Sequence, residues 1–342
     1  MRIATIDIGT NTVLLLIAER TANGLAPCEE VATITRLGRD VDRTRALHPE
    51  SLAQTLSCLK RYDDLIRANS VDRVAVVGTS AMRDASGGES IRELVRSQWG
   101  VELSVLSGEE EARTTFAGSL SGLPLPKTRR TVAVIDVGGG STEIILGRWG
   151  GDPHDTKNLI ANVRSGDATV APLEILATKS FDVGSVRLTE RFIKTDPPTA
   201  AELTAVRDHV DTLFQTYPTH IPAPARVHAY KPGTSEISVD DVVAVAGTAT
   251  TYFALSIGMT TYESGRVHGA KMSLRDLETL LSKLERLTQA ERVVLPGLEP
   301  KRADVIVAGG HCLLGAVRLL RAENIFVSDR GVRWGLAESL SL

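Results

Sequence analysis

Apolar and polar positions follow two rhythms along this chain. Short β-branched runs bounded by Gly, Asn and Asp predict strands, and stretches with apolar residues three and four apart predict helices. Residues 2–9, 12–19 and 26–37 read as three strands, with Asn23-Gly24 marking the second turn. Leu52, Leu56, Leu59, Tyr62 and Ile66 predict a helix over Pro49–Ala68, and Pro49 suits its start. Val71–Val77 and Val101–Leu106 read as strands on either side of a short helix, Ser90–Trp99. Ser107 suits an N-cap, opening a helix to about Leu120 with Glu109, Glu110 and Glu111 in its first turn.

The second half repeats the alternation. Val132–Ile135 and Ile144–Leu146 are apolar runs on either side of a glycine turn, and Leu173–Phe181 reads as a further strand. Helical segments follow at Gly184–Ile193 and Thr199–Phe214, separated by Pro197-Pro198. Val242–Ala246 predicts a strand with an apolar helix after it, and Ser273–Leu287 is amphipathic. Arg302–Arg321 is mostly apolar and so reads as a helix buried between layers. Ile325–Ser328 and Arg330–Ser339 close the chain as strand and helix. Gly150–Val170 and Tyr217–Asp240 read as irregular. Strands alternating with helices predict an α/β fold.

The stretch Thr131–Arg148, TVAVIDVGGGSTEIILGR, carries the most chemistry. Asp136 ends one apolar run; Gly138, Gly139 and Gly140 follow, then Ser141, Thr142 and Glu143. Glycines let backbone N–H groups approach a ligand closely, and successive N–H groups in a turn make an anion nest. Asp136 and Glu143 repel an anion, so they make sense with a divalent cation between them and it. A plain hairpin needs no third glycine flanked by carboxylates. The pattern also occurs at the start: Ile3–Ile6, Asp7, Ile8, Gly9, then Thr10-Asn11-Thr12 and the apolar run Val13–Ala18. An internal repeat predicts two like lobes, each opening with such a turn and facing the other across a cleft. The doubled turn resembles the phosphate loops of the actin, sugar-kinase and heat-shock ATPase superfamily.

Composition narrows the classes. At 342 residues the chain is long enough for two domains with separate cores. The net charge is −3, so a polyanion must be met by a local basic patch; Arg36, Arg39, Arg43 and Arg45 supply one candidate lip. Cys28, Cys58 and Cys312 have no metal-ligand spacing and suit a reducing, cytoplasmic setting. No run reaches the roughly 18 apolar residues of a membrane span, and an aspartate interrupts the N-terminal run, so neither membrane span nor signal peptide is expected.

In this order, Asp7–Thr12, Gly78-Thr79-Ser80-Ala81-Met82-Arg83, Ser107–Arg113, Asp136–Glu143, Gly184–Phe192, Gly247–Thr251 and Val267-His268-Gly269 resemble the motifs of the exopolyphosphatase / guanosine pentaphosphate phosphatase family. They span almost the full chain. The resemblance implies two ribonuclease-H-like lobes, residues 1–125 and 126–342. It implies hydrolysis of the terminal phosphoanhydride of inorganic polyphosphate or guanosine pentaphosphate, with a divalent cation, usually Mg2+. Glu111 would be the general base on the attacking water. Asp136 and Glu143 would hold the metal, with Asp7 facing the same site. Thr10, Asn11, Arg83, Gly138, Gly139, Gly140, Ser141 and Thr142 would hold terminal phosphates. Gly247 and Thr248 match a position that binds a nucleotide or distal phosphate. The acidic triplet alone would merely complement a helix dipole. His268 reads as structural. No nucleic acid or membrane partner is expected, and the family often dimerises. The helical C-terminal extension of long members is not expected, which shortens the tract for a long polyphosphate. A phosphotransferase or ATPase of the superfamily, or a polyphosphate- or alarmone-binding regulator, are the competing readings.

Overall fold

The computed structural model describes residues 1–22, 24–125, 130–149, 173–217, 227–228, 236–237 and 239–340. Asn23, Gly150–Val170 and most of Tyr217–Asp240 lie outside them. The chain divides into two compact units. One comprises Met1–Ser121 with the stretch that begins at Gly331; the other comprises the described residues between Gly122 and Arg330.

In the first unit β1 (Arg2–Ile8), β2 (Thr12–Thr21), β3 (Gly24–Ile34), β4 (Arg73–Gly78) and β5 (Leu103–Val105) form a sheet of order β3-β2-β1-β4-β5. The pairs β1–β2 and β2–β3 are antiparallel, and β1–β4 and β4–β5 are parallel. The helices are α1 (Val41–Thr44), α2 (Pro49–Ala68), α3 (Ser80–Asp84), α4 (Glu89–Trp99) and α5 (Gly108–Leu120). Side chains of a strand alternate between faces, and β1 is buried on both. Ala4, Ile6 and Ile8 join a core with Leu59 and Tyr62 of α2 and Ile91 and Val95 of α4. Ile3 turns the other way.

That second face is covered by the end of the chain. Residues 126–342 read as one lobe in sequence, but the C-terminal helix, Val332–Leu340, returns to the first unit. Its Trp334 and Ala337 pack on Ile3, Leu16 and Ala18, and Thr5 Oγ1 donates to the Arg333 carbonyl at 2.8 Å. The helix meets α5 backbone to backbone. A Cβ at Gly335 would lie 2.0 Å from the Thr114 carbonyl oxygen, and one at Gly118 would lie 2.2 Å from that of Gly331. Neither oxygen can yield as a side chain would. Gly335→Ala is therefore expected to lower unfolding stability by about 1–3 kcal/mol, seen as a lower urea midpoint at unchanged slope.

The second unit holds β6 (Arg130–Val137), β7 (Thr142–Trp149), β8 (Leu173–Phe181), β9 (Val227–His228), β10 (Glu236–Ile237), β11 (Asp241–Val245), β12 (Ala270–Ser273) and β13 (Asn324–Val327). Its main sheet runs β12-β13-β11-β6-β7-β8, and β9 and β10 pair separately. From β8 inward, the order β8-β7-β6-β11-β13 matches β3-β2-β1-β4-β5, with the same senses of pairing. The repeat seen in the motifs is thus a repeat of topology, the ribonuclease-H-like order in an α/β fold. β12 is an addition, antiparallel on the outer edge of β13. It was not legible in sequence because it has four residues, directly after a left-handed Gly269 (φ 81°).

The helices of this unit are α6 (Ser185–Phe192), α7 (Ala200–Phe214), α8 (Ala246–Ser256), α9 (Ser264–Val267), α10 (Leu274–Leu284), α11 (Gln289–Val293) and α12 (Ile306–Leu319). α12 is buried along almost its whole length, as its apolar sequence predicts. It carries Gly309 and Gly310 where side chains of neighbouring elements come closest. A Cβ at Gly310 would lie 1.8 Å from the Tyr252 hydroxyl. No helix among the described residues is long and apolar enough to cross a membrane.

Candidate active site

Each unit presents the end of its first strand and the turn after it. In the first unit β1 ends beside Asp7, and Gly9 N–H donates to Thr12 O at 3.1 Å to close the turn. The turn is braced from outside: Thr35 N–H and Arg36 N–H donate to Asn11 O at 3.1 and 3.0 Å, and Gly38 N–H donates to Thr10 O at 2.7 Å. Asn11 is 6% exposed, and its Nδ2 has no hydrogen-bond partner among the described residues. A buried donor in that state costs free energy until an acceptor arrives. An oxyanion is a suitable acceptor.

Beyond β4, the tight turn at Gly78 leads into α3, which carries Arg83. Arg83 Nη1 donates to Leu106 O at 3.0 Å and to Glu111 Oε2 at 3.3 Å. The acidic triplet of α5 divides its labour. Glu110 closes a capping box: its carboxylate accepts from Ser107 N–H and Ser107 Oγ, each at 2.8 Å. Those bonds, from the Ser107 backbone first and its side chain second, hold the Glu110 carboxyl below its ordinary value. Glu109 is exposed. Glu111 alone is buried, 7% exposed, and turns to Arg83. Complementing a helix dipole requires no such burial.

The second turn has the same closure, Gly138 N–H to Ser141 O at 3.0 Å. Asp136 and Glu143 are register partners across β6 and β7, so both carboxylates leave one face of the sheet. In the first unit the partner of Asp7 is Leu14. The second carboxylate therefore belongs to one copy of the repeat only. Glu143 is 1% exposed, and Ser180 Oγ donates to its Oε1 at 2.5 Å. Like charges in direct cross-strand register destabilise a sheet unless a cation lies near. Magnesium is held by one or two carboxylates with waters and phosphate oxygens, and this donor pair fits that mode. Asp7, the third predicted ligand, belongs to the other unit, and no group of three or more His, Cys, Asp or Glu among the described residues forms a metal cage.

The glycine turn is held by α6. Gly138 O accepts from Ser185 N–H at 3.0 Å, and Gly139 O accepts from Val186 N–H and Arg187 N–H at 2.9 and 3.1 Å. A Cβ at Gly184 would lie 2.6 Å from Gly139 O. The sequence of the Gly184–Phe192 motif assigns it no role by itself; its one signal is a glycine and a serine at a helix start. Two predicted hydroxyls are engaged inside the fold. Thr142 Oγ1 donates to Val183 O at 2.6 Å, and Thr248 Oγ1 donates to Val137 O at 3.3 Å. Ser141 is buried in the turn itself. Gly247 follows a left-handed Ala246 (φ 66°), and a Cβ there would lie 2.0 Å from Arg302 Nη1. Arg302 was not singled out from sequence. His268 Nδ1 lies 3.4 Å from Asp329 Oδ1 and 3.3 Å from Ser328 Oγ.

These features define an α/β protein with a duplicated sheet, an acid at the end of the first strand in each copy and a tight turn after it. The chain belongs to the Ppx/GppA phosphatase family, whose model matches residues 16–342. Exopolyphosphatase 2 of Mycobacterium tuberculosis is 32% identical, over 99% of this chain and 98% of that protein. Exopolyphosphatase 1 of Mycobacterium bovis is 25% identical, over 98% of this chain and 87% of the relative. Among solved structures, the Aquifex aeolicus member of the Ppx/GppA family superposes with a TM-score of 0.74 at 28% identity, covering 100% of this chain and 97% of that one.

Proposed function

We propose that this protein is an exopolyphosphatase that removes the terminal phosphate of inorganic polyphosphate, with guanosine pentaphosphate as a second substrate of the same chemistry. Glu111 carries the reading: it is the one buried carboxylate of its triplet, and it lies against Arg83. Its carboxylate takes the proton of the attacking water as the new P–O bond forms; the bridging P–O bond breaks, and the shortened chain leaves as a phosphate oxyanion. Arg83 orients that carboxylate and offers its remaining N–H groups to a nonbridging oxygen. Thr10, Asn11 and the N–H groups of Gly139, Gly140 and Ser141 hold phosphate oxygens, and Gly138, Thr142 and Thr248 keep the second turn in shape. Asp136 and Glu143, with Asp7, would hold a divalent cation, magnesium in the first place. Bound there, the cation neutralises charge on the phosphate oxygens. The names of the relatives, exopolyphosphatases in M. tuberculosis and M. bovis, support the substrate class. The three cysteines are free thiols, two of them buried, which supports a cytoplasmic setting.

The test is phosphate release, with magnesium, from tripolyphosphate, long-chain polyphosphate and guanosine pentaphosphate. Release from the first two supports the reading, and the third measures the breadth of specificity. No release from any of the three, with ADP formed from ATP and an acceptor, would move the protein to the phosphotransferases.

A further inference from the structure

The basic segment after β3 has no role in the chemistry above, yet it is fastened to that chemistry at both ends. At one end Thr35, Arg36 and Gly38 bond to the Thr10–Asn11 turn. At the other, Ala46 bridges Ser86, Leu47 N–H donates to Ser86 O at 3.0 Å, and Ser86 N–H donates to Arg45 O at 3.0 Å. Ser86 lies three residues beyond Arg83. The segment is also strained. Arg36, Asp40 and Arg45 have φ of 52°, 61° and 56°, half of the six left-handed non-glycine residues described. Such conformations persist where surrounding structure enforces them, and they gather at binding sites.

Two further facts point to a ligand. Thr35 is 1% exposed, and its Oγ1, like the neighbouring Asn11 Nδ2, has no hydrogen-bond partner among the described residues. The arginines are unequally engaged. Asp40 accepts from Arg43 Nη2 at 2.9 Å and lies 3.8 Å from Arg39 Nε, and Arg39 Nη1 also reaches Glu50 at 3.1 Å. Arg45 is exposed and makes no ion pair among the described residues.

We propose that Thr35–Arg45 is a second phosphate subsite, which takes phosphates behind the terminal ones of a polyphosphate chain, with Arg45 as its principal cation. The proposal rests on the polyphosphate reading and adds a determinant of chain length to it. Asp40 answers part of the charge of Arg39 and Arg43 within the segment, whereas Arg45 has no ion pair among the described residues. A guanidinium pairs with two oxygens of a phosphate at once, which suits a polyanion with the same group in every unit. A substrate of few phosphates is held by the groups already assigned to the terminal phosphate; a long one gains the second contact.

Arg45→Gln tests this on the full chain, beside Arg45→Lys and a charge control, Arg61→Gln, on the exposed side of α2. The expected result for Arg45→Gln is a KM for long-chain polyphosphate raised about three- to tenfold, with kcat unchanged and the KM for tripolyphosphate moved less than about twofold. Arg45→Lys recovers part of the loss, and Arg61→Gln changes neither KM. Equal shifts on both substrates, no shift on either, or the same shift from Arg61→Gln would overturn the proposal. Equilibrium binding of fluorescently labelled long polyphosphate is measured on the same variants. Weaker binding by Arg45→Gln in a protein that hydrolyses nothing would sink the hydrolase reading and leave the subsite standing.

Discussion

Glu111→Gln is expected to lower kcat on polyphosphate by about 10²–10⁴-fold while KM stays within about threefold. Glutamine keeps the shape of the side chain and an oxygen for Arg83 Nη1, so fold and contact survive while the base is gone. The neighbours make the experiment discriminating. Glu110→Gln touches the capping box, where a lost cap costs about 0.5–2 kcal/mol of stability and no catalytic proton transfer. Glu109→Gln touches an exposed side chain. Both should keep near-wild-type kcat. If all three lose activity alike, the triplet acts through its charge as a whole and Glu111 is not the base. A loss confined to Glu111, with the pH profile flattened on its acid side, identifies the proton acceptor.

The second large effect concerns the carboxylate pair. Glu143→Leu puts at this position the residue type that Leu14 supplies in the first copy. Leucine is of similar bulk, though one atom shorter, and the site is 1% exposed, so much of the packing is kept, although Ser180 Oγ loses its acceptor. The expected outcome is a folded protein with polyphosphate hydrolysis reduced at least about a hundredfold at any practical magnesium concentration. Asp136→Asn is expected to raise the magnesium concentration for half-maximal activity at least about tenfold. Thermal unfolding gives a readout without turnover. Magnesium should raise the Tm of the wild type by mass action and leave that of Glu143→Leu where it was. A Tm that rises equally in both would place the cation elsewhere.

Much of the architecture was legible because it is written in periodicity and in local chemistry. The helix over Pro49–Ala68 was predicted residue for residue, since its apolar spacing and N-terminal proline agree with its packing on β1 and β2. Ser107 as a cap and the duplicated motif were equally local signals. What was not legible depends on partners distant in sequence. Nothing near Val332–Leu340 says that it belongs with β1, because the information lies in the fit of Trp334 to Ile3, Leu16 and Ala18. Glu109, Glu110 and Glu111 look alike in sequence; only the direction each takes from α5 separates a cap, a solvated charge and a buried carboxylate. Thr142 reads as a phosphate donor by its place after three glycines, but strand alternation sends its hydroxyl to Val183. Arg302 was invisible for the same reason, since its contact with Gly247 spans fifty-five residues.

The return of the C-terminal helix has a consequence for biosynthesis. A chain leaves the ribosome N-terminus first, and domains generally fold in that order. Here β1 through α5 emerge early, but the apolar face of Ile3, Leu16 and Ala18 waits for Trp334. The second unit, whose described segments all lie before Gly331, is free to fold while that face is still bare. The half of the protein that is made first is therefore the half that is finished last, and during elongation its uncovered sheet is the natural client of a chaperone.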